Sequence, residues 1–150
     1  MNEEWSQFSK EMSQRILEAF PEWRSNAVSD ENCGEKYFKL TIDPPSNNTG
    51  APLEIDTYQE EITVAFDAYH SHFSSFEGDE WENAYTFIKN IISDKYAVVS
   101  YWRNEQWCGS WFQKKKSFPN CNEEYPYANK IKIRSWSREL DADIECKPKD

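Results

Sequence analysis

The only two histidines of this 150-residue chain, His70 and His72, stand one residue apart in the sequence DAYHSHF. Histidines at positions i and i+2 of a strand point to the same side, so the pair could coordinate a metal ion or share acid–base catalysis. A metal site would need a third ligand, and Glu77, Asp79 and Cys108 stand at no recognisable spacing. A paired-histidine hydrolase would need a cation beside an anionic substrate, whereas the neighbouring residues are acidic. We therefore predict no catalytic residue, no metal and no cofactor here.

The histidines are predicted to end the longest strand of the protein, residues 62–73, because apolar side chains alternate through its first half. In one uninterrupted strand, His70 and His72 share the core-facing side with Phe66, and Asp67 lies on the other side. The sequence therefore predicts partly buried histidines at the rim of an aromatic core.

The remaining elements follow from the same periodicities. Helical spacing predicts helices at residues 3–20 and 79–93, the second with Asp79 as its N-cap. Alternating or continuous apolar runs predict the other strands at 35–43, 52–58, 95–102, 105–112 and 130–136. The expected fold is α+β, with a mostly antiparallel sheet of about six strands, an N-terminal helix and a second helix packed on it. We expect a single domain spanning residues 1–150, with a polar, frayed tail.

Four cysteines, Cys33, Cys108, Cys121 and Cys146, are widely spaced and form no CxxC pair. A zinc site usually shows a close pair of ligands, so this spacing favours free thiols over a metal site. We predict free thiols that are mostly buried.

The net charge of -10 is concentrated in the first part of the chain. Residues 1–80 hold 17 acidic and 5 basic side chains, a net of -12, and residues 81–150 hold 10 and 12, a net of +2. This balance disfavours nucleic acid as a partner, and an acidic surface suits a basic protein or only maintains solubility. No apolar run approaches the roughly 18 residues that span a bilayer, and no signal peptide opens the sequence, which predicts a cytoplasmic protein without membrane contact.

Aromatic residues crowd the predicted hairpin at 95–112, which contains Trp102, Trp107 and Trp111. They exceed what one face of a hairpin can bury, so some are expected at the surface. Exposed tryptophans anchor protein partners or stack on sugars, and the remaining alternative is that most of these rings belong to the core.

Three segments in order carry a resemblance: a strand ending in YHSHF, a helix reading AYTFIKNIISDK, and an aromatic hairpin containing WCGS. Over residues 35–140 this arrangement resembles bacterial immunity proteins, the small antitoxins of polymorphic toxin and contact-dependent growth inhibition systems. The resemblance implies a non-enzymatic cytoplasmic protein that binds and neutralises a cognate toxin C-terminal domain. Many such toxins are basic nucleases, for which an acidic inhibitor gains a fast, steered encounter.

Charge and position, together with that resemblance, select the residues expected to bind the toxin. They are Glu54, Asp56, Glu60, Glu61, Asp67, Glu77, Asp79 and Glu80, with Trp102 and Trp107 as anchors. One alternative function is a small-ligand or carbohydrate-binding module that uses the aromatic hairpin. A further alternative is a hydrolase that depends on His70 and His72.

Overall fold

The computed structural model describes residues 3–45, 49–75 and 78–149, and within it the chain divides into two compact units. The first unit comprises Met1–Asp43, Pro52–Phe66 and His70–Lys89. The second comprises Pro44–Ala51, Asp67–Tyr69 and Asn90–Asp150. Each unit contains its own antiparallel sheet, and the assignment of one domain stays a prediction.

Helix α1 spans Gln7–Ala19, so it begins four residues later than the predicted range 3–20 and ends close to the predicted end. The Ser6 side chain accepts a hydrogen bond from the Ser9 backbone N–H at 3.1 Å, which satisfies one of the unpaired donors of the first turn. Pro21 cannot continue the helix, and a 3-10 helix, Pro21–Asn26, follows. The helix buries Met12 and Ile16 on one stripe.

The first unit contains a five-stranded antiparallel sheet in sequential order, except that Tyr69 is assigned to the second unit. Short connections suffice because each strand pairs with the next one along the chain. The strands are β1 (Val28–Asn32), β2 (Glu35–Ile42), β3 (Leu53–Asp56), β4 (Ile62–Phe66) and β5 (Tyr69–Phe73).

One face of this sheet forms the core of the first unit. The alternation of side chains along each strand places apolar residues on that face.

The buried hydroxyls of Ser9 on α1 and Thr57 after β3 lie 2.6 Å apart, and Thr57 also accepts the Phe38 backbone N–H at 3.2 Å. The buried sheet residues are Phe38, Leu40, Ile42, Leu53, Ile55, Ile62, Val64 and Phe66.

The prediction of one long strand at 62–73 is wrong, because a turn at Asp67 and Ala68 divides it into the antiparallel neighbours β4 and β5. Asp67 has φ +52°, a left-handed conformation that aspartate tolerates better than most residues, and its carboxylate accepts the Ala68 N–H at 2.8 Å. A two-residue turn places its flanking residues Phe66 and Tyr69 on the same side of the sheet, whereas in one continuous strand they would point to opposite sides. His70 and His72 are consequently exposed, whereas Tyr69 is half-buried.

Helix α2 spans Glu80–Ile92 and agrees with its predicted range. The Asp79 carboxylate accepts the Glu82 backbone N–H at 3.0 Å, so Asp79 caps the helix as expected. Ala84, Ile88 and Ile91 are the buried positions of the predicted stripe.

The second unit contains a four-stranded sheet in the order β7-β6-β8-β9. Strand β6 is central, as its continuous apolar sequence predicts, and a register shift interrupts its pairing with β7 beside Trp102. Gly109 lies against the Tyr125 ring, which occupies the space a side chain would need. The strands are β6 (Tyr96–Arg103), β7 (Gln106–Lys114), β8 (Lys130–Arg134) and β9 (Ala142–Glu145).

The α+β class is confirmed, but the described residues form nine strands in two sheets rather than about six in one. The added strands include β1 and β9, whose sequences VSDEN and ADIE are short and lack a clear apolar alternation. The tail is not frayed, because the Cys146 N–H donates to the Asn129 carbonyl at 2.9 Å and the Lys149 N–H to the Pro126 carbonyl at 2.8 Å.

The cysteines are free, as predicted, but they are not mostly buried. Cys33 lies in the exposed turn between β1 and β2, and Cys121 lies in an exposed loop. Cys108 and Cys146 are half-buried against the core of the second unit.

No helix in the described ranges is long and apolar enough to cross a membrane.

Candidate functional site

The side of the five-stranded sheet opposite its core, which we call the polar face, is the candidate site. Thr41, Glu54, His70 and His72 are exposed there, and Asp56 is half-buried. The face therefore brings together the acidic residues and the histidines that the sequence had placed on opposite sides of the sheet. Its residues on β2 to β5 include Lys39, Thr41, Glu54, Asp56, Thr63, Ala65, His70 and His72, with Glu61 at its edge and the directly paired Asp30 and Tyr37 at the β1 end.

Strand register fixes the neighbours on the polar face. Asp56 on β3 stands directly opposite Lys39 on β2 and Thr63 on β4. Directly paired residues in antiparallel strands have Cβ atoms about 4.5–5.5 Å apart, so this row forms one contiguous strip. In the next row Glu54 stands opposite Thr41 and Ala65.

His72 continues the first row onto β5. Its Nδ1 atom lies 2.8 Å from the Thr63 hydroxyl oxygen and 3.3 Å from a Glu61 carboxylate oxygen. The His70 ring meets the His72 ring edge to face, with centroids 5.1 Å apart. A carboxylate and a hydroxyl on one nitrogen orient the imidazole, and when His72 is protonated it forms an ion pair with Glu61.

Asp56 is a carboxylate of the polar face whose pKa is raised by its surroundings. Partial burial raises the pKa of the Asp56 carboxyl, although the Tyr58 backbone N–H, Lys39 and His72 each act to lower it. The Tyr58 N–H donates to Asp56 at 3.0 Å. Asp56 is therefore a partly desolvated anion that an added cation would stabilise.

Lys39 also lies near a second acidic side chain. Its Nζ atom lies 3.7 Å from an Asp30 carboxylate oxygen on β1. The Glu31 backbone N–H lowers the pKa of the Asp30 carboxyl, and Lys39 and the Tyr37 hydroxyl act in the same direction. The cation of the polar face is thus already shared with Asp30.

The other acidic residues predicted to bind a partner lie outside this strip. Glu60 is exposed after β3 and has φ +56°. Asp67 occupies the turn between β4 and β5, and Asp79 and Glu80 lie at the start of α2. Glu77 lies outside the described residues.

The predicted tryptophan anchors belong to the second unit. Trp102 and Trp107 are cross-strand partners in β6 and β7, and Trp107 is 57% exposed. Their indole N–H groups donate to Ser100 and Ser110, each at 2.8 Å. The Lys132 ammonium lies 4.5 Å from the centroid of Trp102, so one face of that ring already has a cation on it.

The polar face presents carboxylates and imidazoles, groups that attract cations. Glu54, Asp56, Glu61 and Asp30 make four carboxylates on that side of the sheet, beside two imidazoles. Within residues 3–45, 49–75 and 78–149 no three His, Cys, Asp or Glu side chains converge in a way that could hold a metal ion. The excess negative charge belongs to the same unit: counted from the sequence, the first unit holds 17 acidic and 6 basic residues, a net of -11.

Sequence reasoning missed Lys39 and Thr63 as members of the site, and it placed the histidines on the wrong side. The signal for the correct side is Asp67 between Phe66 and Tyr69: it fits the alternation of one strand, but aspartate is also a residue that favours turns. A shift of one position there places the aromatic residues Tyr69 and Phe73 inward and the histidines outward.

Comparisons of the chain with models of protein families, with curated proteins and with solved structures find no match.

Proposed function

We propose that this protein is an immunity protein, which binds and neutralises the C-terminal domain of a cognate toxin and has no catalytic activity of its own. The toxin belongs to the basic nucleases, and the immunity protein acts in the cytoplasm, where such a toxin would reach nucleic acid. The proposal rests on the resemblance of residues 35–140 to immunity proteins for its class, and the polar face supports it as the proposed binding surface.

The observation that carries the proposal is the clustering of Glu54, Asp56 and Glu61 on the exposed side of a rigid sheet. Carboxylates on a regular strand array have fixed spacing, so they can match a fixed set of lysine and arginine side chains. Such complementarity raises the association rate and excludes partners of like charge.

Asp56 is expected to be the most sensitive contact. Its carboxyl is partly desolvated before any partner binds, so part of the desolvation penalty is present in the free protein. A guanidinium or ammonium group placed beside it would relieve that penalty and complete its hydrogen bonding. Truncation of one member of such a charge pair in an interface costs about 2–5 kcal/mol.

The test is co-expression of this chain with the C-terminal domain of the protein encoded immediately upstream. Expression of that domain alone is expected to stop growth, and co-expression of the wild-type chain is expected to restore it and to give a stable 1:1 complex. The variant Glu54→Lys/Glu61→Lys reverses two charges on the polar face and is expected to lose both effects.

A matched control is Glu11→Lys/Glu22→Lys, which changes the net charge of the first unit by the same amount. Glu11 lies on α1 and Glu22 in the 3-10 helix after it, both exposed and both outside the polar face. This control is expected to retain rescue. If the wild-type chain neither restores growth nor binds the domain, the immunity proposal is wrong for that partner.

A second candidate function is carbohydrate binding by the aromatic hairpin, which the exposure of Trp107 (57%) and Trp111 (43%) favours. The serine-bonded indole of Trp107 is held in one orientation and offers a flat surface on which a sugar ring can stack. Loss of oligosaccharide binding in Trp107→Ala, with growth rescue unaffected, would assign this separate role to the hairpin.

A further inference from the structure

A cavity of about 710 Å³ opens beside α1 in the first unit and lies apart from the polar face. Its volume falls in the usual range for small-molecule sites, about 300–1,000 Å³. All of its lining residues belong to the first segment of the first unit. They are Trp5, Lys10, Ser13, Gln14, Leu17, Glu18, Arg24, Ala27 and Phe38.

Aromatic and aliphatic side chains supply the apolar surface of this cavity. The Trp5 and Phe38 rings meet edge to face with centroids 5.8 Å apart, and both are buried. The Trp5 indole N–H donates to the Ser29 hydroxyl at 2.8 Å, which fixes the orientation of that ring. Leu17 and Ala27 are half-buried and add aliphatic surface. Leu17, Ala27 and the accessible part of Trp5 therefore offer apolar surface to a flat molecule, and Phe38 supports the Trp5 ring from the core.

Two cations also line the cavity, and neither forms an ion pair with a carboxylate of the described residues. They are Lys10 on α1 and Arg24 in the 3-10 helix after it. The one carboxylate in the lining, Glu18, accepts a hydrogen bond from the Gln14 amide at 3.0 Å. The lining thus has a net positive charge inside a unit whose net charge is -11.

We propose that this cavity is a binding site for a small aromatic carboxylate, whose ring lies against Trp5, Leu17 and Ala27 and whose anionic group is bound by Lys10 and Arg24. A bidentate guanidinium and a flexible ammonium are the groups that proteins use to recognise carboxylates. This site is independent of toxin binding, because none of its residues belongs to the polar face.

The probe for this site is 2-naphthoate, compared with the uncharged 2-naphthamide of the same shape and with acetate, which has the charge without the ring. Amide chemical shifts in a titration of the ¹⁵N-labelled full chain report both affinity and location. Saturable shifts are expected at Lys10, Leu17, Ala27 and Phe38 with 2-naphthoate. Acetate should give none there, and 2-naphthamide should bind about tenfold or more weakly, since charge-assisted hydrogen bonds contribute on that order.

The variant Lys10→Met/Arg24→Met removes both charges and keeps the apolar stems, and neither side chain donates a hydrogen bond to another described residue. Its matched control, Arg15→Met/Lys89→Met, removes two charges of the same unit outside the cavity. The proposal predicts that the first variant weakens 2-naphthoate binding about tenfold or more and that the control does not. Failure of 2-naphthoate to bind the wild-type chain at millimolar concentration, or equal binding by both variants, overturns it. The variant Lys10→Met/Arg24→Met is expected to restore growth as the wild-type chain does. Its loss of 2-naphthoate binding can therefore be distinguished from a failure of the immunity proposal.

Discussion

His72 and Thr63 face each other across strands β4 and β5, with the imidazole Nδ1 atom 2.8 Å from the threonine hydroxyl oxygen. This contact exists only because the chain turns at Asp67 and Ala68 and pairs two halves of what the sequence pattern presents as one strand. It places a histidine beside Glu61 on the same face as Asp56 and Glu54. The acidic residues and the histidines therefore belong to one surface.

The exposed position of the histidines predicts a small effect on stability. The variant His70→Ala/His72→Ala is expected to change the free energy of unfolding by about 0.5 kcal/mol or less per position, as for other surface changes. Leu53→Ala, at a fully buried position of β3, should by contrast destabilise by about 2–5 kcal/mol. Urea denaturation measures both. A loss of several kcal/mol in the histidine variant would restore the buried-strand interpretation.

Asp56→Asn is expected to stabilise the free protein at neutral pH. Because burial raises the pKa of the Asp56 carboxyl in the folded state, the wild-type protein loses stability as the pH rises through that folded pKa. Asparagine has no charge to desolvate and keeps an oxygen for the Tyr58 N–H. Denaturation midpoints at pH 7 and pH 3 should show a gain at the higher pH that disappears at the lower one, where the aspartate is protonated in both states.

Asp30→Asn is the control with the opposite sign. The pKa of the Asp30 carboxyl is lowered in the folded state, chiefly by the Glu31 backbone N–H, so its contribution to stability is present at neutral pH and is lost as the pH falls through the folded pKa. Asp30→Asn should therefore destabilise at pH 7 and have little effect well below that pKa. A change of the same sign in both variants at pH 7 would contradict the assigned environments.

Gly109→Ala is expected to destabilise the second unit by about 1–3 kcal/mol, the usual range for an overpacked core. The added methyl group would overlap the Tyr125 ring, which also packs on Tyr101 with centroids 4.8 Å apart. A double-mutant cycle with Tyr125→Ala measures the coupling by denaturation. The double variant should be more stable than the sum of the two single losses predicts, and strict additivity would show that the ring does not occupy that space.

Thiol reactivity should divide the cysteines into two classes. Cys33 and Cys121 are exposed and are expected to react quickly with a thiol reagent under native conditions, whereas Cys108 and Cys146 should react slowly. Burial also raises the pKa of the Cys146 thiol, which lowers its thiolate fraction and further slows its reaction with the reagent. Reaction progress monitored by mass spectrometry of the peptides assigns each rate. Four equal rates would contradict these burial differences.

Strong local patterns in the sequence predicted helix α2, central strand β6 and the β6–β7 hairpin. In each of them a long run of residues carries the same periodicity, so one deviating position does not change the interpretation. Strands β1 and β9 could not be predicted in that way, because they are short and polar and are held by pairing with β2 and β8. Pairing between strands is a tertiary effect that local propensity does not contain.

The sequence-based prediction of the candidate site was wrong in one respect, the turn between β4 and β5. The acidic residues Glu54 and Asp56 were correctly placed on the polar side of β3, but the side of the sheet on which the histidines lie depended on two residues, Asp67 and Ala68. A single shift in a period-two pattern moves every later side chain to the other face. Tyr69 and Phe73 are half-buried because they follow the turn. The alternation through residues 62–68 is equally compatible with one continuous strand, so it did not predict this orientation.

Salt should weaken the proposed complex, because the carboxylates of the polar face are largely exposed and screening acts within about 8–10 Å at physiological ionic strength. Association rates measured from low salt to roughly 1 M should fall steeply, while the dissociation rate changes less. Trp107→Ala is the control. Because the tryptophan side chain is uncharged, its removal should leave the salt dependence of the association rate unchanged. An affinity that is independent of salt would exclude the polar face as the binding surface.

The most direct test of the central claim is calorimetric titration of the purified toxin domain with the wild-type chain, Glu54→Lys/Glu61→Lys and Glu11→Lys/Glu22→Lys at one salt concentration. Our account predicts a 1:1 complex whose affinity falls about tenfold or more in the polar-face variant, because like charges are brought together in the interface, and stays nearly unchanged in the control. Equal affinities for all three proteins, or equal losses in both variants, would contradict the assignment of the polar face as the toxin-binding surface.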